Sequence, residues 1–135
     1  MMDTAEQLER QLPHLMRAWE TALRSGYSVR QCVEATAQMT RTQQPLDMTA
    51  EYSSLDIMEA MPIADAEPLR GAFAQVLADW QAGGDFFAAL DGLRGRYPSP
   101  GLDLLVTALR VQREVGGNLA DLLEATGLVL QKRLA

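Results

Sequence analysis

The stretch that decides the fold lies near the carboxyl terminus and reads SPGLDLLVTALRVQREVGGNLADLLE (residues 99–124). On both sides of its Gly-Gly pair, apolar residues recur three and four positions apart, which is the spacing of an amphipathic α-helix. Glycine closes a helix by adopting a left-handed conformation, and Asn118 can cap the next helix by accepting a backbone N–H. The stretch therefore predicts two helices, at about 100–115 and 118–134, joined by a tight turn.

The same kind of turn occurs at two earlier places in the chain. In each, glycine is followed by a residue that can cap a helix, and two apolar residues stand four apart in the new helix. Gln31 completes a capping box with its cap, and Asp121 approximates one. We therefore expect three turns built alike, from Gly26 and Ser28, from Gly83, Gly84 and Asp85, and from Gly116, Gly117, Asn118 and Leu119.

The three turns predict an all-α fold, an antiparallel bundle of about six helices arranged as three helical hairpins. The hairpins span residues 12–41, 65–97 and 98–135, with helices at about 12–25, 28–41, 67–82, 85–96, 100–115 and 118–134. Pro13 suits the first turn of a helix, so the main first helix is expected to begin near Leu12. Residues 4–11 are then a helical lead-in or a frayed end. Strand signals are nearly absent.

The insertion at residues 42–64 breaks this pattern. Its apolar residues stand at helical spacing, and a loop of that length would be unusual in a compact domain. We therefore expect one extra short amphipathic helix at about 46–61. Its methionines suit either core packing, which we favour, or an adaptable binding surface. The residues at helical spacing are Met48, Tyr52, Leu55, Met58 and Met61.

The third hairpin resembles the hallmark segment of the type II secretion F-domain family. In that family a Gln, an acidic residue, two Gly, Asn and Leu precede a helix with a basic end. The matching residues are Gln112, Glu114, Gly116, Gly117, Asn118 and Leu119, followed by Lys132 and Arg133. The first hairpin is similar to the family's opening hairpin, and the second is a looser match. Among family members, the single-domain platforms of tight-adherence (Tad or Flp) pili look most similar.

This resemblance implies a non-catalytic scaffold or coupling domain in a bacterial type II secretion or type IV/Tad pilus machine. It implies a single cytoplasmic helical domain over residues 1–135, at the inner membrane, attached through flanking transmembrane segments. The implied partners are the assembly ATPase and other inner-membrane components, with a homo-oligomer as a further option. A free-standing helical adaptor is the alternative, and a helical DNA-binding regulator is a third class.

Composition weighs against several other functions. The net charge of −6 argues against a nucleic-acid partner, which would require clustered Lys and Arg. His14 and Cys32 are the only residues of their types and lack ligands at metal-binding spacing, so neither a metal site nor a catalytic centre is expected. The Gly-Gly pairs are not followed by the Gly-Lys-Ser/Thr of a phosphate-binding loop, and no cofactor is expected. No apolar run is long enough to span a bilayer, so the chain as given is expected to be soluble.

The charged residues nearest the strongest part of the resemblance are candidates for contact with a partner. Arg110, Arg113 and Glu114 precede the third turn, and Lys132 and Arg133 form the basic end. An equally weighted alternative pairs Arg110 with Glu114, four residues apart on one helix.

Overall fold

The computed structural model describes residues 3–38 and 67–134, and these contain six helices and no strand. This confirms the predicted all-α class. The extra helix expected at about 46–61 lies outside the described residues. The helices are α1 (Thr4–Arg24), α2 (Val29–Ala37), α3 (Leu69–Gln81), α4 (Phe86–Arg96), α5 (Pro100–Val115) and α6 (Leu119–Leu134).

Helix α1 begins earlier than its sequence suggested, and Pro13 lies well inside it. The prediction that Pro13 occupies the first turn is wrong. Asp3 caps the true start, because its Oδ1 accepts the Glu6 N–H at 2.8 Å. Leu8 is fully buried and extends the apolar stripe of Leu12 by one turn. The cap and this burial outweigh the single backbone hydrogen bond that proline removes.

The helices pack in a closed order, in which each contacts the next along the chain and α6 returns to α1. The most extensive packing joins α1 to α6 and α2 to α3, which belong to different predicted hairpins. Helix α1 also contacts α5 across the bundle. The hairpins are therefore not independent units, because each packs more extensively against its neighbours than within itself. Within the described ranges, no helix has both the length and the hydropathy of a bilayer span.

Trp19 occupies the centre of the core and is fully buried. Its indole N–H donates to Thr36 Oγ1 at 2.9 Å, and that hydroxyl donates to the Cys32 carbonyl at 2.9 Å. The ring also meets Phe73 edge to face, with centroids 5.5 Å apart. Trp19 thus joins α1, α2 and α3 while leaving no buried polar atom of its own without a partner.

Glu9 of α1 caps a different helix, α5. Its Oε1 accepts the Gly101 N–H at 2.8 Å and also accepts the hydroxyl proton of Ser99. Ser99 is itself the N-cap residue of α5, and its hydroxyl oxygen accepts the Leu102 N–H at 3.1 Å. A carboxylate at a helix N-terminus is favoured by the helix dipole. An added Cβ at Gly101 would lie only 2.8 Å from Glu9 Oε1, so the absence of a side chain there permits the contact.

Removal of the Glu9 carboxylate should destabilise the bundle. Glu9→Ala leaves the Ser99 hydroxyl and the Gly101 N–H without their acceptor, and we expect a loss of about 1–3 kcal/mol in the free energy of unfolding. Glu6→Ala is the matched control, because the Glu6 side chain is exposed on the same helix, and it should stay within about 0.5 kcal/mol. Urea denaturation measures both, and equal losses in the two variants would contradict the role of Glu9.

Cys32 should make stability fall at alkaline pH. Burial raises the pKa of its thiol from 9.0 to about 12. The unfolded chain therefore releases this proton first as pH rises through 9, and stability declines until the folded thiol titrates near 12. Ionisation of Cys32 should lower the free energy of unfolding by about 1.4 kcal/mol at pH 10, because that pH is one unit above the pKa of the thiol in the unfolded chain. Denaturation at pH 8 and 10 should show this additional decline in the native chain and not in Cys32→Ala.

Candidate interaction surface

The three predicted turns meet at one end of the bundle, here called the three-turn end (residues 25–28, 82–85 and 116–118). Side chains next to the turns contact one another. The contacts are Arg24 Nη2 with Asp121 Oδ1 at 3.1 Å, Arg30 Cζ with the Trp80 ring centre at 4.8 Å, and Arg113 Nη1 with Asp85 Oδ1 at 4.0 Å. These pairs show that neighbouring helices run antiparallel. The start of α1, the end of α6 and the Ser99 cap lie at the opposite end.

The first and second turns share one hydrogen-bond pattern. The Tyr27 N–H donates to the Ala22 carbonyl at 3.0 Å, and the Gly84 N–H donates to the Asp79 carbonyl at 3.0 Å. Each bond spans five residues around a glycine of positive φ, 99° at Gly26 and 95° at Gly83. This is the Schellman closure, which satisfies carbonyls at a helix end.

The third turn is built differently. Gly116 has φ 92° and ψ −161°, a conformation that is essentially restricted to glycine, and Gly117 follows with φ 100°. The Gly116 N–H donates to the Gln112 carbonyl at 2.9 Å, one helical turn back. The expectation that all three turns are built alike is therefore wrong in its geometry. Two consecutive glycines extend the backbone here, whereas a single left-handed glycine closes the other two helices.

Each turn is followed by a capped helix. Ser28 and Gln31 form the full capping box, with bonds of 3.1 Å and 2.8 Å. Asp85 accepts the Ala88 N–H at 3.0 Å, and Asn118 accepts the Asp121 N–H at 3.2 Å. The Asp121 carboxylate pairs with Arg24 of α1. Leu119 is buried directly after the third turn and fixes α6 against the core.

Arg110 binds α4 and not its own helix. Its Nη2 lies 2.8 Å from Asp91 Oδ2, and this bond holds the pKa of Asp91 below its usual value. Arg94 contacts the same carboxylate at 3.3 Å and Asp103 at 2.7 Å. The alternative pairing of Arg110 with Glu114 is therefore not found. The network joins α4 to α5 along their exposed seam.

The remaining candidate contact residues lie in two separate places. Within the described residues Glu114 makes no ion pair, and it lies exposed beside Val115, whose exposed fraction of 82% is unusual for a large apolar residue. Lys132 and Arg133 are exposed in the last turn of α6. They lie one helix length, roughly 24 Å, from the three-turn end. The structure thus does not bring the five candidates together on one surface.

Sequence analysis missed an aromatic ladder that crosses the three-turn end. Trp80 and Phe86 stack with centroids 4.4 Å apart, and Phe86 meets Phe87 at 5.4 Å. Arg30 lies over Trp80, and Arg113 lies over Phe87 at 4.9 Å from its centre. The only signal in the sequence was that Trp80 precedes the second turn and that Phe86 and Phe87 follow it.

The ladder forms one wall of a groove of about 400 Å³. Most of its lining side chains are apolar, and three are polar or charged. The lining residues are Val29, Trp80, Gly84, Asp85, Phe86, Phe87, Leu109, Gln112 and Arg113. No group of three or more His, Cys, Asp or Glu that could hold a metal occurs in residues 3–38 and 67–134.

Comparison with protein-family models places these features in a family. The model described as Type II secretion system (T2SS), protein F matches residues 48–135, which is more than half of the chain. The chain belongs to this family. The matched range includes α3 to α6, the second and third turns and most of the groove, whereas α1 and α2 precede it. Family members are generally structural platform components and not enzymes.

Comparisons with curated proteins and with solved structures gave no match. The family-model match is therefore the relationship on which the functional argument rests.

The two-glycine turn should not tolerate a side chain at its first position. Gly116→Ala places a Cβ on a backbone conformation available essentially only to glycine, and we expect a loss of about 1–3 kcal/mol. Gly92→Ala is the matched control, because Gly92 lies inside α4 and an added Cβ would meet no atom within 4 Å. The control should gain up to about 1 kcal/mol from helix propensity. Thermal melts of both variants test this, and a shift of the same sign would contradict the assignment.

Proposed function

We propose that this chain is the scaffold and coupling domain of an inner-membrane platform in a bacterial secretion or pilus machine. The observation that carries the proposal is the family match over residues 48–135. Within that family we favour the tight-adherence (Tad or Flp) pilus type, whose single-domain platforms the sequence resembles most. The domain would span residues 1–135 at the cytoplasmic face of the inner membrane and perform no chemistry itself.

The three-turn end is the proposed contact for the assembly ATPase. Residue 3 and residue 134 both lie at the opposite end, because α1 runs toward the three-turn end and α6 runs away from it. A platform attached to the membrane through either of those points would leave the three-turn end free to meet a cytoplasmic partner. Lys132 and Arg133, at the other end, stay candidates for contact with a different component of the machine, or with a second copy of the platform.

Exposed side chains support this choice of end. Arg113 is 62% exposed, and its nearest carboxylate oxygen lies 4.0 Å away. Glu114 and Val115 follow it directly and are also exposed. Charged residues around an exposed apolar one are common at protein interfaces, where charge sets orientation and apolar burial supplies affinity. Because such charges contribute little to folding, they can be changed without loss of the fold.

Exchange of these two charges should abolish ATPase capture. The variant combines Arg113→Glu with Glu114→Arg, which preserves net charge, and its stability should stay within about 1 kcal/mol of the native chain. The matched control combines Glu6→Arg with Arg10→Glu, an exchange of exposed charges at the opposite end. The measurement is a pull-down of the purified assembly ATPase of the same machine, with thermal melts of every variant. Undiminished capture by the Arg113/Glu114 variant would refute the contact.

A further inference from the structure

We propose that the groove beside the aromatic ladder binds a short acidic peptide segment that carries one large apolar side chain. This deepens the proposed function and rests on it only for the origin of the segment, which would be the partner at the three-turn end. The apolar side chain would enter the groove, and the carboxylates on either side of it would pair with Arg30 and Arg113.

The groove has the size and lining of a site for a side chain. Its volume of about 400 Å³ lies within the roughly 300–1,000 Å³ range of ligand clefts. Val29, Phe86 and Trp80 are only half-buried, so the apolar wall is open to solvent. Gln112 and the Gly84 backbone supply polar groups near this wall. An aromatic or branched aliphatic side chain would bury apolar area that the bundle itself leaves exposed.

The ladder also makes the wall stiff. Trp80, Phe86 and Phe87 contact one another in sequence. Arg30 lies over the Trp80 ring at one end of the series, and Arg110 and Arg113 lie over the Phe87 ring at the other. Gly84 and Asp85 connect Trp80 to Phe86 through the second turn, where an added Cβ on Gly84 would lie 2.8 Å from the Asp79 carbonyl oxygen. A preformed wall lowers the ordering cost of binding, which favours capture of a flexible segment.

The two flanking cations are available to a carboxylate. Glu34 Oε2 lies 3.9 Å from Arg30 Nε, and Asp85 Oδ1 lies 4.0 Å from Arg113 Nη1, so both ion pairs are loose and beyond hydrogen-bond distance. In contrast, Arg110 and Arg94 are engaged at 2.8 Å and 2.7 Å. Guanidinium groups bind carboxylates in two-pronged geometry when their donors are unoccupied. Asp85 is the one carboxylate in the groove lining, and its single charge is set against the two guanidinium groups of Arg30 and Arg113. The charge beside the groove therefore favours an acidic segment, although the chain as a whole is acidic.

Trp80 is a built-in reporter for the test. The chain has two tryptophans, and the other, Trp19, is fully buried in the core. The probe is a synthetic peptide, Gly-Asp-Glu-Phe-Leu-Glu-Asp-Gly, titrated into the 135-residue chain while tryptophan emission is recorded. One control peptide has Ser in place of Phe and Leu, and a second has Lys in place of every acid. We expect saturable change with the first peptide alone, and no change in Trp80→Phe.

Protein variants then test the two kinds of contact. Arg113→Gln should weaken binding of a fluorescein-labelled peptide about tenfold, because one charge-assisted contact is lost. Arg133→Gln is the matched control at the opposite end and should bind as the native chain does. Equal binding of the Ser or Lys peptide, or an unchanged affinity in Arg113→Gln, would overturn the proposal. The proposal would also be overturned if Trp80 emission changed with protein concentration in the absence of peptide, because a second copy of the chain would then occupy the groove.

Competition separates this proposal from the proposed function. If the ATPase contacts the groove through such a segment, the peptide should displace it in the pull-down. Capture that depends on Arg113 and Glu114 but resists the peptide would refute the groove proposal and leave the proposed function standing. Peptide binding by a chain that does not capture the ATPase would refute the proposed function and leave the groove proposal standing. The segment would then belong to another partner.

Discussion

The burial of Trp19 is the interaction on which most of the bundle depends. Helices α1 and α2 are joined by a short turn but pack against other helices more than against each other. The indole links them through Thr36 and adds an aromatic contact with Phe73 of α3. Loss of a large core aromatic costs about 3–5 kcal/mol, which is a large share of the stability of a small domain. The position of α2, and with it Arg30 at the groove, therefore depends on Trp19.

The two ends of the bundle are held by different means. At the far end Glu9 links α1 directly to the start of α5, and Gly101 permits their close approach. At the three-turn end the links include ion pairs between exposed side chains, such as Arg24 with Asp121, which contribute less to stability. Such ion pairs can be exchanged for contacts with a partner without disturbing the core. This division suits a domain whose far end is fixed and whose other end meets a partner.

Sequence analysis predicted the helices and turns well because their signals are local. Ser28, Asp85 and Asn118 lie next to the glycines that close the preceding helices, so spacing alone located the turns. The start of α1 was missed because Pro13 was given more weight than the buried Leu8. The partners of Glu9, Arg110 and Trp80 could not be predicted, since each contact joins residues on different helices. The groove likewise depends on the packing order of the helices, which local sequence signals do not specify.

Cys32 gives the chain a practical property that follows from its burial. It is the only cysteine, it is fully buried, and its thiol stays protonated at neutral pH. Maleimide reagents attack exposed thiolates, so in the folded protein this residue is shielded from them. A cysteine introduced at Glu114 or Arg133 would therefore be the single reactive position, without prior removal of the natural one. Dyes or spin labels could then report the distance between either end of the bundle and a bound machine component.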